Sequence, residues 1–305
     1  MTTETSPLSP AAGRGLDSHG HIGAQTDEVL RLTDLTKTFV TSRNLLGRTT
    51  GIHHAVNKVS LSVGRGETVA VVGESGAGKS TVGRMALRLV EPDSGSIEFD
   101  GRDLRAMPKG ELRRMRSRMR MIFQDPYSSL DPTMVVGDIV GEPLLIHRNL
   151  DARARAEKVL DLFRRVGMDS HHLDRYPYEF SGGQLQRIAI ARAIATDPEL
   201  IVCDEPVAAL DMSIRAQVIN LLSDLQAERN MAYLFITHDL SLVRLIADRV
   251  VVMYRGEIVE SAPTAELFEA PQHEYTRTLL DAVPVPDPRR RRAPAGKPGT
   301  RRVAP

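Results

Sequence analysis

The chain has 305 residues, of which 41% are hydrophobic, so it is long enough for one large globular domain with a well-buried core. Its single cysteine, Cys203, excludes an internal disulfide and a four-thiolate metal site, which favours a reducing, cytoplasmic setting. The formal net charge is +1, but residues 284–305 carry seven basic residues against one acidic. The rest of the chain is therefore mildly acidic, which is not typical of a protein that coats DNA.

The sequence predicts neither a membrane span nor a secretory leader. Apolar runs such as Thr68–Val72 and Val250–Tyr254 have the length of strands, far from the roughly 20 residues that a spanning helix needs. The start, MTTETSPLSPAAGRG, lacks the basic and apolar segments of a signal peptide. We therefore expect any transport role to need membrane partners.

Residues 1–27 are rich in Ser, Thr, Pro, Gly and His without periodicity, which predicts a disordered N-terminal tail. From about Val29 to Ala282, short apolar strands alternate with amphipathic segments. This alternation predicts an α/β fold with helices packed on a sheet.

Two β-branched runs, Glu67–Gly73 and Leu200–Glu205, are typical of buried parallel strands. The stretch between them is polar and largely helical from about 126 to 198. It includes an amphipathic helix at Ala152–Val166 that ends before Gly167. We interpret 126–198 as a helical subdomain inserted into the α/β core.

Two groups of basic residues raise the question of nucleic-acid or lipid binding. The Pro- and Arg-rich segment 286–305 predicts a disordered, solvated tail, with attraction to anionic lipid headgroups or to nucleic acid as the alternatives. A second group favours a solvated basic helix face over an RNA-binding surface. It comprises Arg113, Arg114, Arg116, Arg118 and Arg120.

A phosphate-binding loop follows the first buried strand and opens a helical segment, which is the context that its mechanism requires. Lys79 is expected to reach the β- and γ-phosphates of ATP, and Ser80 to ligate Mg²⁺. The alternative is a chance glycine turn without a ligand. The loop matches G-x-x-x-x-G-K-[ST] with Gly73, Glu74, Ser75, Gly76, Ala77, Gly78, Lys79, Ser80 and Thr81.

The second buried strand ends in Asp204 and Glu205, at the edge where open α/β sheets bind ligands. Asp204 is the candidate Mg²⁺ ligand, and Glu205 is placed to polarise the attacking water. A pair of exposed strand-end acids is the simpler alternative. Between the phosphate loop and this second strand, a helix begins after Ser181, Gly182, Gly183 and Gln184. Ser181 is a natural N-cap for this helix.

These motifs, in this order, resemble the ABC ATPase family, whose signature is LSGGQ, here with Phe180 in the first position. The resemblance implies a P-loop NTPase core with a small β part that binds adenine. It also implies a head-to-tail pair of subunits, in which Ser181 and Gly183 contact the γ-phosphate held by the partner. Gln124 matches the glutamine loop that touches Mg²⁺ and senses membrane subunits, and His238 matches the switch histidine on the γ-phosphate.

Two further positions follow from the same resemblance. Phe39 falls where the family places an aromatic ring on adenine, with core packing as the alternative. Ala208 to Asp211 resemble the loop that crosses between subunits. Asp211 is kept in this loop, but Ala208 replaces the usual serine, so any contact of that hydroxyl is lost.

Within the family the chain is most similar to ATPase subunits of oligopeptide, dipeptide and nickel importers, in particular to the second subunit of a pair. Pro271–Thr276 resembles their C-terminal P-x-H-P-Y-T element, with Glu274 in place of proline. The resemblance implies an ATPase domain at 28–262 and an importer-type extension at 263–285.

The implied function is hydrolysis of ATP, with Mg²⁺, at the cytoplasmic face of the cell membrane to drive solute uptake. The implied partners are a second ATPase subunit, two membrane permeases and, indirectly, an extracytoplasmic solute-binding protein, with no nucleic acid. The main alternative is a soluble ABC ATPase acting on nucleic acid or ribosomes; another is a non-hydrolysing regulatory module, which Glu205 argues against.

Overall fold

The computed structural model describes residues 27–43 and 49–282. The disordered tails predicted at 1–27 and 286–305 lie, apart from residue 27, outside the described residues. The described strands are β1 (Glu28–Arg43), β2 (Thr49–Gly64), β3 (Thr68–Val72), β4 (Ser94–Phe99), β5 (Arg102–Asp103), β6 (Met119–Ile122), β7 (Leu200–Asp204), β8 (Ala232–Ile236), β9 (Arg249–Tyr254) and β10 (Glu257–Pro263).

The helices alternate with these strands, as the α/β prediction requires. They are α1 (Lys79–Ala86), α2 (Lys109–Met115), α3 (Pro126–Ser129), α4 (Val136–His147), α5 (Ala152–Arg165), α6 (Gly182–Ile194), α7 (Met212–Arg229), α8 (Leu240–Ile246), α9 (Thr264–Glu269) and α10 (Glu274–Asp281). Short 3₁₀ turns lie at Ser170–His172 and Pro177–Glu179. Among the described helices, none combines the length and the apolar character needed to cross a bilayer.

Two sheets form the framework. The larger has the order β10-β9-β3-β8-β7-β6, in which all neighbours are parallel except the edge pair β10 and β9. The smaller is antiparallel, with the order β2-β1-β4-β5. The carboxyl ends of β3 and β7 consequently meet at the same edge of the larger sheet.

Alternate residues of β3 pack on opposite faces of this sheet. Val69 and Val71 join a buried cluster with α1 and the smaller sheet, while Ala70 and Val72 join a cluster with α8 and α9. Every residue of β3 and β7 is buried, which confirms that both are buried strands. Cys203 of β7 is buried as well, and burial raises the pKa of its thiol.

The helices α3 to α6 and both 3₁₀ turns fall within 126–198. Of these, α4, α5 and α6 pack around a shared apolar cluster that includes Ile139, Phe163 and Ile188. The predicted helix at 152–166 is confirmed. Asp151 caps its N-terminus by accepting the Ala154 N–H, and Gly167 follows its end with φ of 71°.

The prediction of a solvated basic helix face is wrong. Only Arg113 and Arg114 lie on α2 and are exposed, since that helix ends at Met115. Arg118 instead forms ion pairs with Asp100 and Glu199. The other two side chains are half-buried: Arg116 donates to the Arg88 carbonyl, and burial lowers the pKa of Arg120 to about 10.

Candidate functional site

The phosphate-binding loop joins β3 to α1, and close backbone contacts require two of its glycines, Gly73 and Gly78. Gly78 is the N-cap of α1 with φ of 97°, and a Cβ there would lie 2.1 Å from the Ala55 carbonyl oxygen. A Cβ on Gly73 would lie 2.2 Å from the Met253 carbonyl oxygen. The loop therefore wraps tightly between neighbouring strands and presents the N-terminus of α1, an arrangement suited to an anion.

Lys79 lies within the loop, with 5% of its surface exposed. Its Nζ donates to the carbonyl oxygens of Gly73 and Glu74, each over 2.8 Å. Burial lowers the pKa of this ammonium group, while the carboxylates of Glu205 and Asp204 act in the opposite direction. A buried cation whose partners are mainly neutral carbonyls is available for a phosphate.

Ser80 and Asp204 meet where α1 begins and β7 ends. The Ser80 hydroxyl donates to Asp204 Oδ1 over 2.7 Å, and the carboxylate is 2% exposed. Burial raises the pKa of Asp204, although the Ser80 hydrogen bond and the Arg84 guanidinium at 4.0 Å favour its ionised form. A hydroxyl and a carboxylate side by side are the oxygen ligands that Mg²⁺ prefers, so these residues fit the ion.

Glu205 brings the three predicted catalytic side chains together. Gln124 Nε2 donates to Glu205 Oε2 over 3.1 Å, and His238 Nδ1 lies 3.2 Å from Glu205 Oε1. Glu205 has φ of 47°, a left-handed conformation that a residue with a side chain adopts at a cost, and such strain concentrates at functional sites. Its N–H donates to the Ile236 carbonyl, which ties this conformation to β8.

One pocket brings Phe39 and six residues of the phosphate loop together with the three predicted catalytic side chains. It is lined by Phe39, His53, Ala55, Ser75, Gly76, Gly78, Lys79, Ser80, Thr81, Gln124, Glu205 and His238. Of the predicted loop residues, Gly73, Glu74 and Ala77 lie outside this lining, and Ala77 is buried. Asp204 does not line this pocket, but it accepts a hydrogen bond from Ser80, which does.

His53 was missed by sequence reasoning. It stands opposite Phe39 in the antiparallel pairing of β1 and β2, so both side chains border the same pocket. The only signal for His53 is this register, and the strand pairing is not visible from a single run of residues.

The residues of the signature line a different pocket. This second pocket contains Ser181, Gly182 and Gly183 together with Ala208, Ala209, Leu210, Asp211 and Ile214. Ser181 is the N-cap of α6, as predicted, and forms a capping box with Gln184. The Gln184 side chain accepts from the Ser181 N–H over 3.0 Å, so it serves its own helix.

The phosphate loop and the adjoining core correspond to a known family. Residues 56–208, half of the chain, match the family model described as ABC transporter. The chain belongs to the ABC transporter family. Residues 259–304 also match the model described as the C-terminal region of oligopeptide/dipeptide transporters.

Among curated relatives of this ABC chain are two proteins named glutathione import ATP-binding protein GsiA. The protein from Escherichia coli strain K12 is 52% identical over 87% of the chain and 43% of the relative. The protein from Pectobacterium atrosepticum is 50% identical over 88% of the chain and 43% of the relative. The chain therefore spans less than half the length of these relatives.

Solved ABC structures share the fold. The cassette MJ0796, in a dimeric post-hydrolysis state bound to ADP and Pi, is 28% identical with a TM-score of 0.69, covering 77% of this chain and 98% of that one. The protein cbiO1 from Clostridium perfringens, part of the transporter complex cbiONQ, is 27% identical with a TM-score of 0.68, covering 80% and 92%.

These matches confirm the predicted fold and the predicted ABC family. The C-terminal match is to the oligopeptide/dipeptide transporter model, and the curated relatives are named for glutathione import. The ATP-binding cassettes of this family are ATPases coupled to transport, and they bind adenine nucleotides.

Proposed function

We propose that this chain is the ATP-binding and ATP-hydrolysing subunit of an ABC importer that takes up short peptides or a related solute. The observation that supports it best is the meeting of Gln124, Glu205 and His238 beside the phosphate loop. In this proposal, residues 28–262 form the ATPase domain, with 126–198 as its helical subdomain, and 263–285 form the importer-type extension.

The residues divide the chemistry among them. In this proposal the loop amides and Lys79 bind the phosphates, and Phe39 stacks on the base. Ser80, Asp204 and Gln124 would hold Mg²⁺, which when bound would neutralise phosphate charge. Glu205 orients a water and takes up its proton at a carboxylate oxygen, while His238, adjacent to that carboxylate, donates to the γ-phosphate.

The separation of the two pockets supports a head-to-tail dimer. Ser181 and Gly183 lie with Asp211 in the second pocket, and no residue is shared with the phosphate-loop pocket. Each subunit would then complete its partner's site, with the N-terminus of α6 directed at the γ-phosphate. Ala208 lines this pocket in place of the family's serine, so the crossing loop lacks that hydroxyl.

The membrane partners have a candidate contact surface beside the glutamine loop. A groove there is lined by Leu89, Met121 and Phe123 and also by Arg116, Arg120 and Arg192. Leu89 and Phe123 are 45% and 37% exposed. Phe123 directly precedes Gln124. A permease helix seated in the groove would therefore act on Gln124, which is a proposed Mg²⁺ ligand and hydrogen-bonds Glu205. We therefore place the chain peripherally, on the cytoplasmic face of the membrane.

The relatives support the proposed class of solute. They are named for glutathione import, and the C-terminal match is to oligopeptide and dipeptide transporters. This match over the extension favours an importer over an ABC ATPase that acts on nucleic acid or ribosomes. A short peptide is the proposed solute, with glutathione and nickel as measurable alternatives.

The test is uptake by the reconstituted complex of this chain, its second ATPase, the permeases and the binding protein in proteoliposomes. The ATPase subunits face the vesicle interior, which contains ATP. Labelled dipeptide, oligopeptide, glutathione and Ni²⁺ are added outside in separate assays. We expect ATP-dependent uptake of a peptide, lost in Phe123→Asp and kept in Leu245→Asp, an exposed position on α8 outside the groove. Failure of this chain to assemble with permeases would contradict the proposal.

A further inference from the structure

The C-terminal extension touches the phosphate loop through one side chain. The Glu74 backbone N–H donates to the Tyr275 hydroxyl oxygen over 3.0 Å. Tyr275 belongs to α10 and to the sequence element Pro271–Thr276, which has no part in the hydrolysis described above. A segment some 200 residues beyond the loop therefore contacts the loop backbone, since the two partners are 201 residues apart.

Packing holds the Tyr275 ring in place. It lies against the Tyr254 ring, with centroids 4.3 Å apart, and it packs on the cluster that contains Ala70 and Val72 of β3. The extension thus rests on the same strand that leads into the phosphate loop. Burial raises the pKa of the Tyr275 hydroxyl, so the group stays neutral at physiological pH.

Backbone contacts set the start of α10. The Glu260 carboxylate of β10 accepts the N–H groups of Gln272 and His273, over 2.8 and 3.0 Å. His273 Nδ1 in turn accepts the Tyr275 N–H over 3.1 Å and caps the helix. Tyr275 is therefore anchored to the sheet at its backbone as well as at its ring.

The loop is restrained from within and from outside. Within it, Lys79 Nζ donates to the carbonyl oxygens of Gly73 and Glu74. A phosphate bound to Lys79 Nζ would take this donor from the two carbonyls. Two contacts come from outside the loop: the Gly256 N–H donates to the Ala77 carbonyl oxygen over 3.1 Å, and the Glu74 N–H donates to the Tyr275 hydroxyl oxygen.

We propose that Tyr275 is a positioning residue that holds the Glu74 peptide in the orientation required for nucleotide binding. The C-terminal extension then sets part of the affinity of the phosphate loop for nucleotide, through one hydrogen bond and without contacting the nucleotide itself. This inference rests on the proposed function, in which the loop binds ATP. Because the hydrogen bond acts on the loop backbone, its loss raises the dissociation constant for ADP and for ATP alike.

The test uses the full chain and the variant Tyr275→Phe, which removes the acceptor and keeps the ring. The matched control is Tyr254→Phe. In the described part of the chain, the hydroxyl of this neighbouring ring forms no hydrogen bond to the loop. Calorimetric titration gives the dissociation constants for MgADP and for ATP. Thermal melting without nucleotide gives the stability of each variant.

We expect Tyr275→Phe to raise the dissociation constants of both nucleotides by roughly 3- to 10-fold, as the loss of one hydrogen bond predicts. For Tyr254→Phe, both constants should stay within about twofold of wild type. A lowered melting temperature with unchanged nucleotide affinity would show a merely structural role and overturn the inference. Failure of the wild-type chain to bind any nucleotide would instead overturn the proposed function, and this inference with it.

A second measurement does not depend on the folding of a variant. Hydrogen exchange at the Glu74 amide of the wild-type chain, followed by NMR, should be slow because this N–H donates a hydrogen bond to the Tyr275 hydroxyl oxygen. Exchange as fast as at the amide of Gly76, an exposed residue of the same loop, would contradict the proposed contact.

Discussion

The Ser80 hydroxyl donates to the Asp204 carboxylate over 2.7 Å and joins two motifs that lie 124 residues apart. The contact exists because β3 and β7 are parallel strands of one sheet, separated only by β8, and end at the same edge. It places a hydroxyl, a buried carboxylate and the buried Lys79 ammonium within one site. The predictions below test what each part of that site does.

Lys79→Ala should weaken nucleotide binding, because it removes a buried cation that is free to exchange neutral carbonyl partners for a phosphate. A hydrogen bond to a charged group contributes about 1.5–3 kcal/mol, so we expect a loss of about 10- to 100-fold in MgADP affinity. Calorimetric titration measures this affinity. The control is Lys109→Ala, at an exposed position on α2. Equal affinities of the two variants would exclude Lys79 from the phosphate site.

Phe39→Ala should weaken binding of the base and leave phosphate binding intact. Phe39 is 40% exposed at the pocket, which favours contact with a ligand over core packing. We expect about a fivefold loss in affinity for MgADP and no change for pyrophosphate. The control is Ile52→Ala, an exposed residue of the same hairpin outside the pocket lining. An equal loss for pyrophosphate would contradict base stacking.

Gly182→Ala and Gly183→Ala separate the fold of the signature from its contact with a partner. A Cβ on Gly183 would lie 2.6 Å from Ile214 Cγ2, whereas a Cβ on Gly182 meets nothing nearer than Leu210 Cδ2 at 3.9 Å. We expect Gly183→Ala to lower the melting temperature by a few degrees and Gly182→Ala not to lower it.

Both glycine variants should still reduce ATP-dependent dimerisation, since a methyl group at this helix N-terminus reduces the space for the partner's phosphate. Light scattering with MgATP measures the dimer. Normal dimerisation of the stable Gly182→Ala variant would remove the signature from the proposed interface.

Glu199→Gln should destabilise the protein and change how its stability depends on pH. The hydrogen bond from Arg118, opposed by burial and assisted by Arg65, lowers the pKa of Glu199 from 4.5. A depressed pKa contributes stability above about pH 4.5, and this is lost as the pH falls through the folded-state value. Urea titrations from pH 3 to 7 should therefore show a shallower acid decline in the variant. Parallel curves would contradict it.

Local motifs were predictable because each is a continuous run with its own physical logic. The phosphate loop follows an apolar strand and precedes a helix, and Asp204 with Glu205 ends another strand, so both could be placed before the sheet order was known. The long reach of β1 and β2 and the entry of His53 into the pocket depend on strand register. Arg118 was misjudged because its partner Glu199 is 81 residues away, and a charge pattern alone does not show such a partner.

The role of Tyr275 was not predicted, because its partner Glu74 is also distant in sequence. Its element was recognised by resemblance, yet the contact with Glu74 arises only once α10 packs on β3 and β9. The roles of Gln124 and His238 likewise came from the family pattern, whereas that of Glu205 was predicted from its place at a strand end. The structure added the Gln124–Glu205 hydrogen bond and the 3.2 Å contact between His238 and Glu205.

The central claim, that Glu205 activates water in an ATP-bound pair of subunits, is tested most directly by Glu205→Gln. Turnover of MgATP and molecular mass are measured together, for the chain alone and with its second ATPase. We predict turnover at least 100-fold below wild type and a stable ATP-dependent dimer, because binding is kept while the base is lost. Unchanged turnover, or no ATP-dependent association with either partner, would contradict the account.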